Sequence, residues 1–121
     1  MQAKSLGYKG EEPAAQFLRS KGYEIVQTNF TVRGGEVDLV ALVHGVIVFV
    51  EVKTRTGVGF GDGDESMTRQ KKMRLKRTIK RYLHQRADSN DADFRVDLVE
   101  IQLDALSNKL KNITHFEDIE L

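Results

Sequence analysis

Apolar and polar positions change period several times along the 121-residue chain, and each change predicts an element. Between Glu11 and Lys21, the residues Ala14, Phe17 and Leu18 fall at helical spacing, and Gly22 follows as a stop signal. Pro13 suits a first turn and would kink a helix begun earlier, so the regular helix is expected to start near Gly10 to Glu12. Tyr23 to Val26 predicts a short strand, followed by a polar connection through Arg33-Gly34-Gly35. Glu36 to Val43 and Val46 to Lys53 are near-continuous apolar runs, separated by His44-Gly45 as a two-residue hairpin turn. A glycine-rich loop holding Gly57, Gly59, Gly61 and Gly63 precedes a helix that Ser66 or Thr68 caps. The inner stripe of that helix is Leu75, Ile79, Tyr82 and Leu83. Asp88 to Asp93 reads as a loop, Phe94 to Leu103 as a strand, Ala105 to Lys111 as a short helix or turn, and Ile113 to Phe116 as a last strand. The order αβββαβ with a short tail predicts one α/β (α+β) domain over 1–121, with a mixed central sheet flanked by helices.

The hairpin has the most legible chemistry. With a two-residue turn at His44-Gly45, Asp38 lies opposite Glu51, and Glu36 lies opposite Lys53. Val37, Leu39, Ala41 and Val43 then share one apolar face with Val46, Val48, Val50 and Val52. The other face is apolar near the turn and charged at the open end. Directly opposed residues bring their Cβ atoms to about 4.5–5.5 Å, where two carboxylates repel. A divalent cation between them removes that conflict, and hard oxygen ligands suit Mg²⁺ or Mn²⁺. Lys53 beside such an ion would hold or activate a water, or stabilise charge on a phosphate. A blander reading has these charges merely solvated, with Lys53 neutralising Glu36 across the ladder.

Charge adds a second feature. Net charge is +1, yet nine basic residues between Thr68 and Arg86 are interrupted by no acid, leaving ten basic residues to face eighteen acidic ones elsewhere. This segregation marks either a solvated face or an element turned toward a polyanion. Lys71 and Arg74 are expected nearest the acids, with Lys72 and Arg77 on the same basic helix and Arg55 at the strand end as further phosphate contacts. Aromatic residues are scattered, which gives no base-stacking platform. The glycine-rich loop lacks phosphate-loop spacing. The absence of cysteine excludes disulfides, thiolate metal sites and a Cys nucleophile. No apolar run is long enough for a signal peptide or a membrane span, so a cytoplasmic location is expected, and Asn112-Ile113-Thr114 reads as an accidental glycosylation triplet. His44 reads as a turn residue, and His84 and His115 receive no role.

Gly35-Glu36-Val37-Asp38-Leu39-Val40-Ala41 followed by Phe49-Val50-Glu51-Val52-Lys53-Thr54-Arg55 resembles the YraN-like family of uncharacterised bacterial proteins. The resemblance extends to Gly10-Glu11, Gly22-Tyr23, Asn29, Lys71 and the strand beginning at Phe94. That family is similar to archaeal Holliday-junction resolvases and to restriction-endonuclease-like nucleases. The resemblance implies a restriction-endonuclease-like core and metal-assisted hydrolysis of a phosphodiester, with Mg²⁺ or Mn²⁺ as cofactor. It further implies Asp38, Glu51 and the Val52 carbonyl as metal ligands, Lys53 beside the attacking water, and Glu11 as an additional ligand. Glu11 is equally well placed as a helix-terminal acid favoured by the macrodipole. Glu36 is either an auxiliary to the metal or the partner of Lys53. The expected activity is a nuclease acting on structured or branched nucleic acid, more readily DNA, with a homodimer implied only by resolvase-like cutting. A non-catalytic nucleic-acid-binding module on the same scaffold and a protein-interaction adaptor are the alternatives.

Overall fold

A computed structural model describes residues 2–56, 67–86 and 93–121, with side chains from residue 11 onward. The glycine-rich loop, Ser66 and most of the loop between Asp88 and Asp93 lie outside the described residues. Helix α1 (Gln2–Ser20) is longer than its apolar stripe suggests and runs through Pro13 instead of starting beside it. A proline removes one amide donor, which a helix buried along one side tolerates. The predicted stop at Gly22 holds. Gly22 adopts φ +94°, its N–H donates to the Arg19 carbonyl, and the Tyr23 N–H donates to the Leu18 carbonyl, both at 3.0 Å. Leu18 and Tyr23 pack into the same cluster, which completes a Schellman closure.

Five strands follow: β1 (Glu24–Val32), β2 (Gly35–Val43), β3 (Val46–Thr56), β4 (Phe94–Leu103) and β5 (Leu110–Phe116). They lie in sequence order in one sheet, antiparallel except for the central β3–β4 pair, which is parallel. A parallel pair needs a crossover, and α2 (Arg69–Gln85) supplies it. Thr68 caps α2, its hydroxyl accepting from the Lys71 N–H at 3.2 Å. The tail forms a fifth strand that starts at Leu110, three residues earlier than expected, after a turn at 105–107.

Each helix covers one face of the sheet. On one side Ala14, Ala15 and Leu18 pack against Leu39, Val48, Val50, Val99 and Ile101. On the other, Leu75, Ile79 and Tyr82 pack against Val40, Phe49 and Val96. The chain is thus a mixed α/β fold with a five-stranded sheet between two helices.

The hairpin turn is as predicted, with His44 (φ +49°) and Gly45 (φ +78°) both left-handed, and β2 pairs with β3 in the expected register from Val43↔Val46 to Leu39↔Val50. One facial assignment is corrected. Val37 joins the α2-side cluster, whereas Leu39 faces α1. The reversal falls at position 38, opposite Asn29 in the β1–β2 register, and Asn29 is left-handed (φ +54°) in mid-strand. Two residues with positive or unpaired backbone break the pleat, and strict alternation cannot cross them.

The start of β2 lies tight against α2. A Cβ on Gly35 would strike the Thr78 hydroxyl and come within 3.1 Å of the Arg74 carbonyl. Thr78 is buried and donates to that same carbonyl at 2.9 Å, so it has little room to yield. Gly35→Ala is expected to lower stability by about 1–3 kcal/mol, read as a reduced urea midpoint with an unchanged slope. An unaltered midpoint would show that α2 can shift freely.

Candidate functional site

The β2–β3 ladder ends at Leu39↔Val50. Past that point β2 stays paired with β1, through Glu36 and Thr31, while β3 continues alongside β4 to Thr56. The two strands therefore part at Asp38 and Glu51. A cleft of about 550 Å³ opens there, lined among others by Glu36, Asp38, Glu51, Val52, Lys71 and Arg74.

The parting leaves the Val52 N–H without a carbonyl on β2. Asp38 Oδ2 accepts it at 2.8 Å. Glu51 is 8% exposed, and its Oε2 is buried with no hydrogen-bond partner among the described residues. Burial is the main force on both acids. It pushes the Asp38 carboxyl up to about 6 against the opposing Val52 hydrogen bond, with Glu11 and Glu36 adding repulsion and Lys71 attraction. Burial, and then the neighbouring Asp38, push Glu51 up to about 8, with Lys71 again the opposing cation. Because the Asp38 charge raises Glu51, the two acids titrate as one unit. Glu11 is raised by burial, opposed by a hydrogen bond with Asn29 and reinforced by Glu36. It acts on Asp38 through its charge despite Pro13.

The predicted residues are thus only partly gathered. Asp38, Glu51, Val52, Glu36, Lys71 and Arg74 share the cleft, and Glu11 lies within electrostatic reach. Lys53 does not line the cleft. It is half-buried on β3, in register with Glu100 of β4. The expected pairing of Glu36 with Lys53 is not formed, because the ladder ends before it reaches them. Arg55 is held by Glu100 at 2.8 Å in a largely buried ion pair. Lys72 lines a separate groove, and Arg77 is exposed. Among the described residues, no three acidic or histidine side chains converge as a metal-binding group.

Sequence reasoning missed a second buried acid. Asp97 on β4 is fully buried and accepts from Arg95 Nε (3.0 Å), Arg95 Nη2 (3.2 Å), His115 Nε2 (2.8 Å) and the Asp118 N–H (2.9 Å). The Lys21 ammonium lies 2.7 Å from His115 Nδ1. An ammonium only donates, so Nδ1 accepts and Nε2 carries the proton toward Asp97. Burial pushes Asp97 up, but the bonds from Arg95, Asp118 and His115 outweigh it, and the carboxyl ends below its ordinary value. The ring of His115 packs edge-on to Phe17 and Tyr23, on the α1 side of the sheet. The available signal was an acid inside the apolar run Val96-Asp97-Leu98, the same signal that singled out Asp38.

A model of the uncharacterised protein family UPF0102 matches residues 10–101. The chain belongs to the UPF0102 family. Similar relatives are UPF0102 proteins of Alkaliphilus oremlandii, 39% identical over 95% of this chain and 97% of the relative, and of Caldicellulosiruptor saccharolyticus, 41% identical over 91% and 92%. A third, from Carboxydothermus hydrogenoformans, is 45% identical over 70% of this chain and 72% of its own length. The UPF0102 match spans both cleft acids and the whole of α2. None of the described helices is long and apolar enough to cross a membrane.

The raised carboxyls set a direction for stability. An acid whose folded value lies above its unfolded value stabilises fully below the unfolded value, and that contribution is lost as pH rises through the folded one. For Asp38 and Glu51 the loss runs from about pH 4 to beyond pH 8. In EDTA, Glu51→Gln is expected to match the parent near pH 5 and exceed it at pH 9 by more than about 1 kcal/mol, the worth of one pKa unit. Urea unfolding at the two pH values measures this, and a variant weaker at both would refute the buried-pair account.

Proposed function

We propose that this protein is a divalent-metal-dependent nuclease that hydrolyses phosphodiester bonds in structured or branched nucleic acid. The observation that carries the reading is half-buried Asp38 beside buried Glu51, whose Oε2 has no partner among the described residues, facing Lys71 and Arg74 across one cleft. Two carboxylates left adjacent in an apolar setting gain nothing for the fold. The donor set suits a hard cation such as Mg²⁺, which commonly takes one or two protein carboxylates and keeps its remaining positions for water and phosphate. Asp38, Glu51 and the Val52 carbonyl would hold Mg²⁺ or Mn²⁺, which when bound supplies charge neutralisation and Lewis acidity at a phosphodiester.

The chain's own residues then divide the remaining work. Lys71 and Arg74 bind non-bridging phosphate oxygens at the cleft wall, with Arg offering a planar fork and Lys a point charge. The Val52 N–H keeps the Asp38 carboxylate from rotating away. Glu11 and Glu36 add negative potential that favours a cation between the inner acids. Lys53, outside the cleft lining, is assigned charge balance at its margin in place of contact with the water.

A non-catalytic nucleic-acid-binding role is the second reading, favoured by the placement of Lys53 and the lack of a three-ligand group among the described residues. The two readings part on cleavage. Duplex, flapped, nicked and four-way substrates are expected to be cut in Mg²⁺ or Mn²⁺, and Asp38→Asn, Glu51→Gln or EDTA to abolish the cutting. Added Mg²⁺ is also expected to raise Tm more at pH 8 than at pH 5, an effect that Glu51→Gln removes. Metal stabilisation without cleavage on any substrate selects the binding module, and neither effect refutes the metal site.

A further inference from the structure

Helix α2 carries eight basic residues and no acid over Arg69–Gln85, so no i,i+4 partner relieves its own repulsion. Five of these cations fall on two flanks. Lys71 and Arg74, three residues apart, line the acidic cleft. On the far flank Arg69, Lys72, Met73, Lys76 and Leu121 line a second groove of about 430 Å³ that shares no residue with the first. At 100° per residue, Lys72 and Lys76 lie nearly opposite Arg74 around the helix axis. Among the described residues none of Arg69, Lys72, Arg74 and Lys76 forms an ion pair. Met73, 54% exposed, stands on the ridge between the flanks.

Two cationic rails separated by the width of one helix, about 10–12 Å with side chains, match a particular ligand. The major groove of B-form DNA is about 12 Å wide, admits an α-helix, and is bordered by phosphates of both strands. The major groove of A-form RNA is too deep and narrow for this. A single strand engages one rail at a time. We propose that α2 enters the major groove of a DNA duplex. Lys71 and Arg74 hold phosphates of the strand that enters the acidic cleft, and Lys72 and Lys76 hold phosphates of the complementary strand. The inference rests on the nuclease reading only in taking the Asp38–Glu51 cleft as the place of a backbone phosphate.

The test is equilibrium binding by fluorescence anisotropy in EDTA, so that catalysis plays no part. The probes are a 20-bp DNA duplex, one strand of it alone, and the RNA duplex of the same sequence. The parent protein is expected to bind the DNA duplex at least tenfold more tightly than either other probe. The double variant Lys72→Ala/Lys76→Ala is expected to weaken duplex binding roughly tenfold. It should also lower the slope of log K against log salt by about 2, the release of two phosphate contacts. Binding of the single strand should stay within twofold, and an unchanged circular-dichroism melt establishes that the variant is folded. Equal losses on duplex and single strand overturn the two-rail geometry in favour of one continuous track. RNA duplex bound as tightly as DNA, or no measurable duplex binding, overturns it as well. If cleavage proves absent while the two-flank pattern persists, this inference stands and the nuclease reading alone fails.

Discussion

Val52 needs a partner for its amide at the place where the sheet opens. β3 sits at the centre of five strands, and as far as Val50 its β2-facing groups are met by backbone. Beyond that point β2 has turned away, and an unpaired buried N–H costs about 1–3 kcal/mol. The Asp38 carboxylate takes over from the missing carbonyl at 2.8 Å. That substitution closes the ladder's end with a side chain instead of backbone, and it also fixes a carboxylate beside Glu51. The same oxygen set that satisfies the strand therefore creates the electrostatic conflict that a cation would resolve. Structure and chemistry are tied at one residue, and the cleft, the raised carboxyls and the role of Lys71 follow from it.

The geometry of the opening depends on two further devices. Left-handed Asn29 lies across from Asp38, and the apolar face reverses there, so β2 leaves β3 without losing β1. Gly35 then lets the departing strand press onto α2 at Arg74 and Thr78, which sets the far wall of the cleft. A cationic helix crossing parallel strands is thereby brought against the acids at its N-terminal half. Its buried side, Leu75, Ile79 and Tyr82, anchors it to Phe49 and Val40, and its charge is left for the exterior. One amphipathic element serves both as one wall of the core and as a strongly positive surface.

Much of this was readable from spacing. Apolar runs around His44-Gly45 fixed a hairpin register that the coordinates reproduce, and the meeting of Asp38 with Glu51 follows from it. What spacing cannot reveal is where a ladder stops, because that depends on a third strand and a helix competing for the same backbone. Spacing therefore puts Lys53 beside the acids, although the cation that acts on them is Lys71, eighteen residues on and in a different element. The reversal at Val37 was hidden because Asn29 looks like any polar strand residue until its φ is known. Pro13 has the local meaning of a start signal, yet α1 runs through it. His115 carries no local signal because its partners, Asp97 and Lys21, are 18 and 94 residues away in sequence.

Asp97 and Asp38, on opposite faces of the sheet, show how hydrogen-bond donors decide whether a desolvated carboxyl keeps its charge. Asp97 and Asp38 both interrupt apolar runs, and both are pushed up by burial. Asp97 collects a guanidinium, an imidazole N–H and a backbone amide, and its charged form wins. It accordingly stabilises the fold above the ordinary carboxylate range, and that contribution is lost on acidification. Asp38 collects one amide and faces another acid, so its charged form loses, and stability moves with pH in the opposite sense. Burial alone does not distinguish the two sites. The count of donors does, and a desolvated acid with too few donors holds its proton to higher pH.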